Sequence, residues 1–146
     1  MVVVSTTLLS TSCSILSNPD KIALKCKQTI KLETSLNEPD AKVFVNNLKY
    51  EEIYLINLKD ETVQLYTDTS ITPREDVVLA PKSINFKEPN KHLDEIGRTS
   101  YWINRETLKM SIVGTTTKII TKQSISGEGI CKKIPYPPMV SPKNKI

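Results

Sequence analysis

The stretch Leu24–Leu36, "LKCKQTIKLETSL", changes character at every second residue. Leu24, Cys26, Gln28, Ile30 and Leu32 fall on one side, and Lys25, Lys27, Thr29, Lys31 and Glu33 on the other. Successive side chains of an extended chain point to opposite faces, so this period of two predicts a strand with one buried face and one wet face. The sequence around it repeats the theme. "NEPDAK" interrupts the pattern and "KVFVN" restarts it, with Asn46-Asn47 expected to form a tight turn because Asn tolerates left-handed geometry. Tyr50–Leu58 and Thr62–Thr67 then read as a hairpin turning through "KDE".

Pro73, Pro81 and Pro89 punctuate the middle of the chain, which predicts short strands at Val77–Leu79 and Ser83–Lys87 in a segment that mostly faces water. "NKHLDEIG" is expected to make one helical turn between an Asn90 cap and a Gly97 stop. Beyond it, "SYWINRETLKMSIVG", Ser100–Gly114, reads as a second hairpin, with strands either side of "NRET" and a continuation through "TTKIITKQSISG" to Cys131. Aromatic residues are only 5% of the chain, so Ile, Leu and Val supply most of the apolar surface, and β-branched residues favour strands. The fold expected is all-β, an antiparallel meander of about six to nine strands curled into a small barrel or sandwich. With four Gly in all, its turns must rely on Asn, Asp and Pro.

At 146 residues the chain is long enough for a single core. Its parts are a signal-like or flexible segment at 1–19, a β domain at 20–134 and a Pro/Lys-rich flexible tail at 135–146. The first segment, "MVVVSTTLLSTSCSILSNP", is apolar and hydroxyl-rich and carries no charge, about the length of a secretory signal and too polar for a spanning helix. It lacks a basic lead and a clean cleavage site, and Cys13 offers a loose lipid-attachment alternative. Cys26 and Cys131 bracket the patterned region and are expected to form a disulfide, the alternative being two buried free thiols. Export to the periplasm or the extracellular space follows from the two features together. The tail "KKIPYPPMVSPKNKI" favours extended, solvated geometry.

The net charge of +4 is uneven, because residues 101–146 carry eight basic groups against Glu106 and Glu128. Such an end attracts anionic surfaces without selecting among them. Only Arg74, Arg98 and Arg105 are arginines, and planar recognition of phosphates and bases prefers arginine, so nucleic acid is not the expected partner. Neither a metal nor an organic cofactor is expected: one His and three dispersed Cys lack zinc spacing, and no phosphate or dinucleotide loop is present. Catalysis is not expected either. His92 stands alone beside Asp94 and Glu95, and Glu51, Glu52 and Asp60 have no separation that sequence can fix. The residues expected to form an interaction surface are Tyr101, Trp102 and Arg105, an aromatic pair beside a charged turn.

The turn "INRETLKM" followed by "GEGICKKI" resembles the closing part of small predicted-secreted proteins of low-GC marine bacteria and their phages. In that group a strand ending Ile-Asn-Arg-x-Thr, usually followed by Gly, precedes a Gly-x-Cys near the C-terminus. Leu108 stands at the usual Gly, and Cys26 corresponds to a first Cys placed shortly after the signal. The resemblance implies an extracytoplasmic β domain with one bridge and assigns no reaction. The function expected is therefore a non-catalytic extracytoplasmic module that binds or scaffolds through its basic last third, against a protein or an anionic envelope surface. The alternative is a virion component, a small capsid or tail protein with extended terminal arms.

Overall fold

The computed structural model describes residues 20–36, 43–89, 97–117 and 121–137. They form nine antiparallel strands: β1 Lys21–Leu36, β2 Val43–Asn57, β3 Thr62–Tyr66, β4 Ile71–Pro73, β5 Glu75–Leu79, β6 Ser83–Lys87, β7 Thr99–Asn104, β8 Lys109–Thr117 and β9 Thr121–Ile134. The order across the sheet is β4-β3-β2-β1-β9-β8-β7-β6-β5.

That order decides between barrel and sandwich. Laid flat, nine strands would span about 38 Å, yet the two edge strands, β4 and β5, are separated along the chain by Arg74 alone. One residue reaches no more than about 7 Å between its neighbours, so the sheet has to curl until its edges almost meet. The Arg74 amide donates to the Val63 carbonyl, 2.8 Å away, which carries the β3–β4 ladder one residue further toward β5. The result is a nearly closed up-and-down barrel in which β4 and β5 act as one bent strand. Curling brings together the two outer strands that an open sheet would present for aggregation.

The period-two reading of β1 holds: Leu24, Cys26, Gln28 and Ile30 are buried, and Lys27, Thr29 and Lys31 are exposed. These inward residues pack with Tyr54, Ile56, Val63, Ile84, Phe86, Ile103, Met110 and Ile112 into one core. Tight curvature at the β1–β9 seam uses two glycines on the inward face of β9. A Cβ at Gly127 would lie 2.6 Å from the Thr29 carbonyl oxygen, and one at Gly129 would lie 2.7 Å from that of Lys27. Glycine here allows backbone approach rather than a turn.

Turns fall to other residues, as the shortage of glycine requires. Asn57 Oδ1 accepts from the amides of Lys59 and Asp60, and Asn104 Oδ1 accepts from those of Glu106 and Thr107. One expectation is corrected. Asn46 and Asn47 make no turn but lie within β2, paired with Leu32 and Lys31. Fifteen consecutive cross-strand partners outweigh a local turn preference. In the middle segment β4 and β5 have no buried residue, and the described part of the segment buries only Ser83, Ile84 and Phe86, all on β6. The helical turn expected from Asn90 to Gly97 lies almost wholly outside the described residues. Gly97, which is described, has φ 106°, a backbone conformation suited to glycine.

Leu108, which closes the turn between β7 and β8, has φ 60°. Its amide donates to Asn104 and its carbonyl accepts from Cys131, so the conformation is held at both ends. A left-handed backbone costs an ordinary residue about 1–2 kcal/mol, and a β-branched one more. Leu108→Ile, although it conserves volume, is therefore expected to be less stable than Leu108→Gly, the reverse of the order that burial alone gives. Urea midpoints of the two variants check this, and an Ile variant as stable as wild type would refute it.

Candidate functional site

The barrel has walls of unequal height. β1, β2 and β9 run 14 to 16 residues each, whereas β3, β5 and β6 run five. β2 pairs with β3 only over Ile53–Asn57, so Val43–Glu52 rises above the low wall with β1 as its one neighbour among the described strands. Between the tall and low walls opens a recess of about 640 Å³. Its tall side presents Ile30, Leu32, Leu48, Tyr50 and Glu52, and its low side presents Leu65, Glu88, Thr99 and Tyr101, with Ile125 on β9 closing the ring. The volume lies within the ordinary range for a small-molecule site, and small barrels are wide enough for one such ligand.

Tyr101, on the lining of the recess, rests on a buried aromatic layer. Phe86 stacks on Tyr101 with centroids 5.1 Å apart and an interplanar angle of 11°, and Tyr54 leans on Phe86 at 5.0 Å. Polar groups thread this apolar base: Gln28 Nε2 donates to Tyr54 Oη at 3.3 Å, and Tyr54 donates to Glu52 Oε1 at 3.2 Å. Burial raises the pKa of Tyr54, and the Glu52 carboxylate raises it further. Burial likewise raises that of Tyr101, helped by Glu88 and Glu52 and opposed by Arg74. Both phenols stay protonated at physiological pH and keep their O–H donors.

Two polar atoms in this region have no partner. Thr99, 2% exposed, lines the recess with Oγ1 unpaired, and Gln28, also 2% exposed, leaves Oε1 unpaired beneath it. Buried polar atoms almost always find partners in protein or in ordered water, so each unmet one calls for a partner from outside the chain, a water or a ligand.

The residues expected to form an interaction surface do not share one. Alternation along β7 turns Tyr101 into the barrel and Trp102 out of it, where Trp102 is 45% exposed beside Val78 and Val113. Arg105 sits in the β7–β8 turn, at the end away from the recess, with Nη1 donating to the Ala80 carbonyl at 2.8 Å. The basic last third is also divided. Lys109 and Lys132 meet Lys25 and Lys27 in an outer groove with Ile130 and Glu128, and Lys25 is paired with Glu51 at 3.1 Å. That groove, at about 710 Å³, is slightly the larger, but flexible exposed side chains form it and no unpaired buried atom points into it.

Cys26 and Cys131 are cross-strand partners on β1 and β9, with Cα atoms 3.9 Å apart and sulfurs at bonding distance. Cys13, His92, the rest of the N-terminal segment and most of the tail lie outside the described residues. No protein-family model matches the chain, and no curated protein or solved structure matches it either.

The recess was hard to foresee from sequence. It gathers one to four residues from each of six strands, and each polar member looks like an ordinary wet strand position. Gln28 was the available signal: an amide on the apolar face of β1, between Cys26 and Ile30.

Proposed function

We propose that this protein is a non-catalytic extracytoplasmic binding module whose barrel mouth, rather than its basic last third, receives a small ligand. The observation that carries the reading is Thr99, a buried hydroxyl without a partner on the wall of an open recess above a buried aromatic layer. Extracytoplasmic placement is supported by the cysteine pair, since disulfides persist in oxidising compartments. Among the described residues no helix is long and apolar enough to cross a membrane.

A neutral environment-sensitive dye, Nile red, tests the mouth. Its fluorescence is expected to rise with saturable binding to the wild-type protein. Ile125→Trp, which fills the recess from β9, is expected to weaken that binding about tenfold, a loss of about 1.4 kcal/mol. Unchanged binding in a folded Ile125→Trp protein would sink the proposal. The second reading, a virion component, is favoured by the edge of β2 that pairs with no other described strand, where Val43, Phe44 and Val45 are 57%, 66% and 53% exposed. Such an edge accepts a strand from a neighbouring subunit. Light scattering on the same sample separates the two: a dye-binding monomer supports the first reading, and a dye-silent oligomer supports the second.

A further inference from the structure

We propose that the mouth selects an organic cation, an ammonium group carried on an apolar body, an assignment that rests on the mouth being a ligand site. The chain as a whole is cationic at +4, yet no Lys, Arg or His occurs among the described residues lining the recess. Its charged lining is entirely carboxylate. Glu51 is neutralised by Lys25 on the outer side, which leaves Glu52 and Glu88 facing the space above Tyr101. Arg74, whose charge also reaches Tyr101, is not a lining residue, and its Nη2 donates to Thr72 Oγ1 at 3.1 Å.

Hydrogen bonding points the same way. The Gln28 amide uses its Nε2 on Tyr54 and leaves a carbonyl oxygen, which can only accept. Tyr54 spends its proton on Glu52, so the polar chain ends in a carboxylate that also only accepts. Thr99 adds an unpaired hydroxyl. Arg74 Nε, a buried donor without a partner, asks instead for an acceptor, but it lies off the lining, where Thr99 and the two carboxylates can all accept from an ammonium and its three donors. Tyr50 and Tyr101 add aromatic faces at the wall, and cations are drawn to such faces within about 6 Å. A carboxylate or phosphate ligand would meet two like charges in a partly desolvated space, an arrangement that discriminates strongly against it.

Three probes with one apolar body separate the possibilities: 4-phenylbutylammonium, 4-phenylbutanol and 4-phenylbutyrate, titrated into the isotope-labelled protein and followed by amide NMR. The ammonium is expected to shift Thr99, Tyr101 and Ile125 and to bind about tenfold tighter than the alcohol, with the carboxylate weakest. In Glu52→Gln/Glu88→Gln, which preserves shape and one acceptor oxygen on each side chain while removing both charges, the ammonium is expected to lose about tenfold more affinity than the alcohol loses. Dispersed amide spectra establish that the variant is folded. An alcohol or carboxylate that binds as tightly as the ammonium, at the same resonances, overturns the cation assignment and leaves the mouth as a ligand site. Failure of all three probes to move those resonances while Nile red still binds has the same meaning. Failure of the probes and of Nile red together overturns the mouth reading itself.

Discussion

Replacing Cys26 and Cys131 by serine is expected to remove about 4–5 kcal/mol of unfolding free energy, a large part of what a domain of this size has. The reason lies in the topology. Every other pairing in the sheet joins strands consecutive in sequence, so it forms by closing a short loop. The β1–β9 seam joins the first strand to the last, and the bridged cysteines are 105 residues apart. In the chain-entropy account a cross-link stabilises by restricting the unfolded ensemble, and the restriction grows with loop length. This bridge therefore sits at the seam where ordering costs most. Cys26 is wholly buried and Cys131 is 4% exposed, so the native barrel also shields the bond from reductant. Urea titrations of oxidised wild type, reduced wild type and the double serine variant measure the effect. A loss below about 1 kcal/mol would show that strand pairing alone holds the seam and that the unfolded chain gains little freedom when the bridge is absent.

The pieces of the fold that sequence made legible are those in which a local pattern and the tertiary environment agree. β1 alternates because one of its faces is core along most of its length, and the β7–β8 hairpin is marked by Asn104, whose side chain caps the turn it begins. Where the environment is split, the pattern fails. The first half of β2 is exposed on both faces, so Val43, Phe44 and Val45 carry no alternation, and Asn46-Asn47 looked like a turn. Pro73 looked like a boundary, but it ends β4 where the chain bends from one edge of the sheet to the other, a closure that depends on the whole strand order. The role of the seam glycines has no local signal at all. Gly127 and Gly129 serve the curvature of a seam whose other strand is a hundred residues away in sequence, and no window along the chain contains both sides. The pairing of Tyr101 with Trp102 as one surface failed for a simpler reason, since adjacent residues of a strand face opposite ways.

Phe86→Ala is expected to cost about 3–5 kcal/mol, and Trp102→Ala far less, about 0.5–1 kcal/mol, although Trp is the larger residue. Phe86 is 1% exposed and packs against both Tyr54 and Tyr101, whose own ring centroids are 6.3 Å apart, whereas Trp102 stands 45% exposed on the outer face. The same substitution bears on the mouth. Tyr101 is held in place by its stack on Phe86, and Tyr54, tilted against both rings, presents its hydroxyl to Glu52. Deleting the Phe86 ring leaves a cavity under both phenols, and an aromatic layer that can sag no longer fixes the position of Glu52. Phe86→Leu, which keeps most of the volume but not the planar stack, separates the two consequences: its stability loss is expected to be about 1–1.5 kcal/mol, with the fold intact. Nile red affinity is then expected to fall about fivefold or more in Phe86→Leu and to stay within about twofold of wild type in Trp102→Ala. Thermal unfolding and dye titration on the two proteins check both halves. Equal binding by Phe86→Leu and wild type would mean that the aromatic layer carries stability alone, and that ligand recognition lies higher on the walls, with Tyr50 and Glu88.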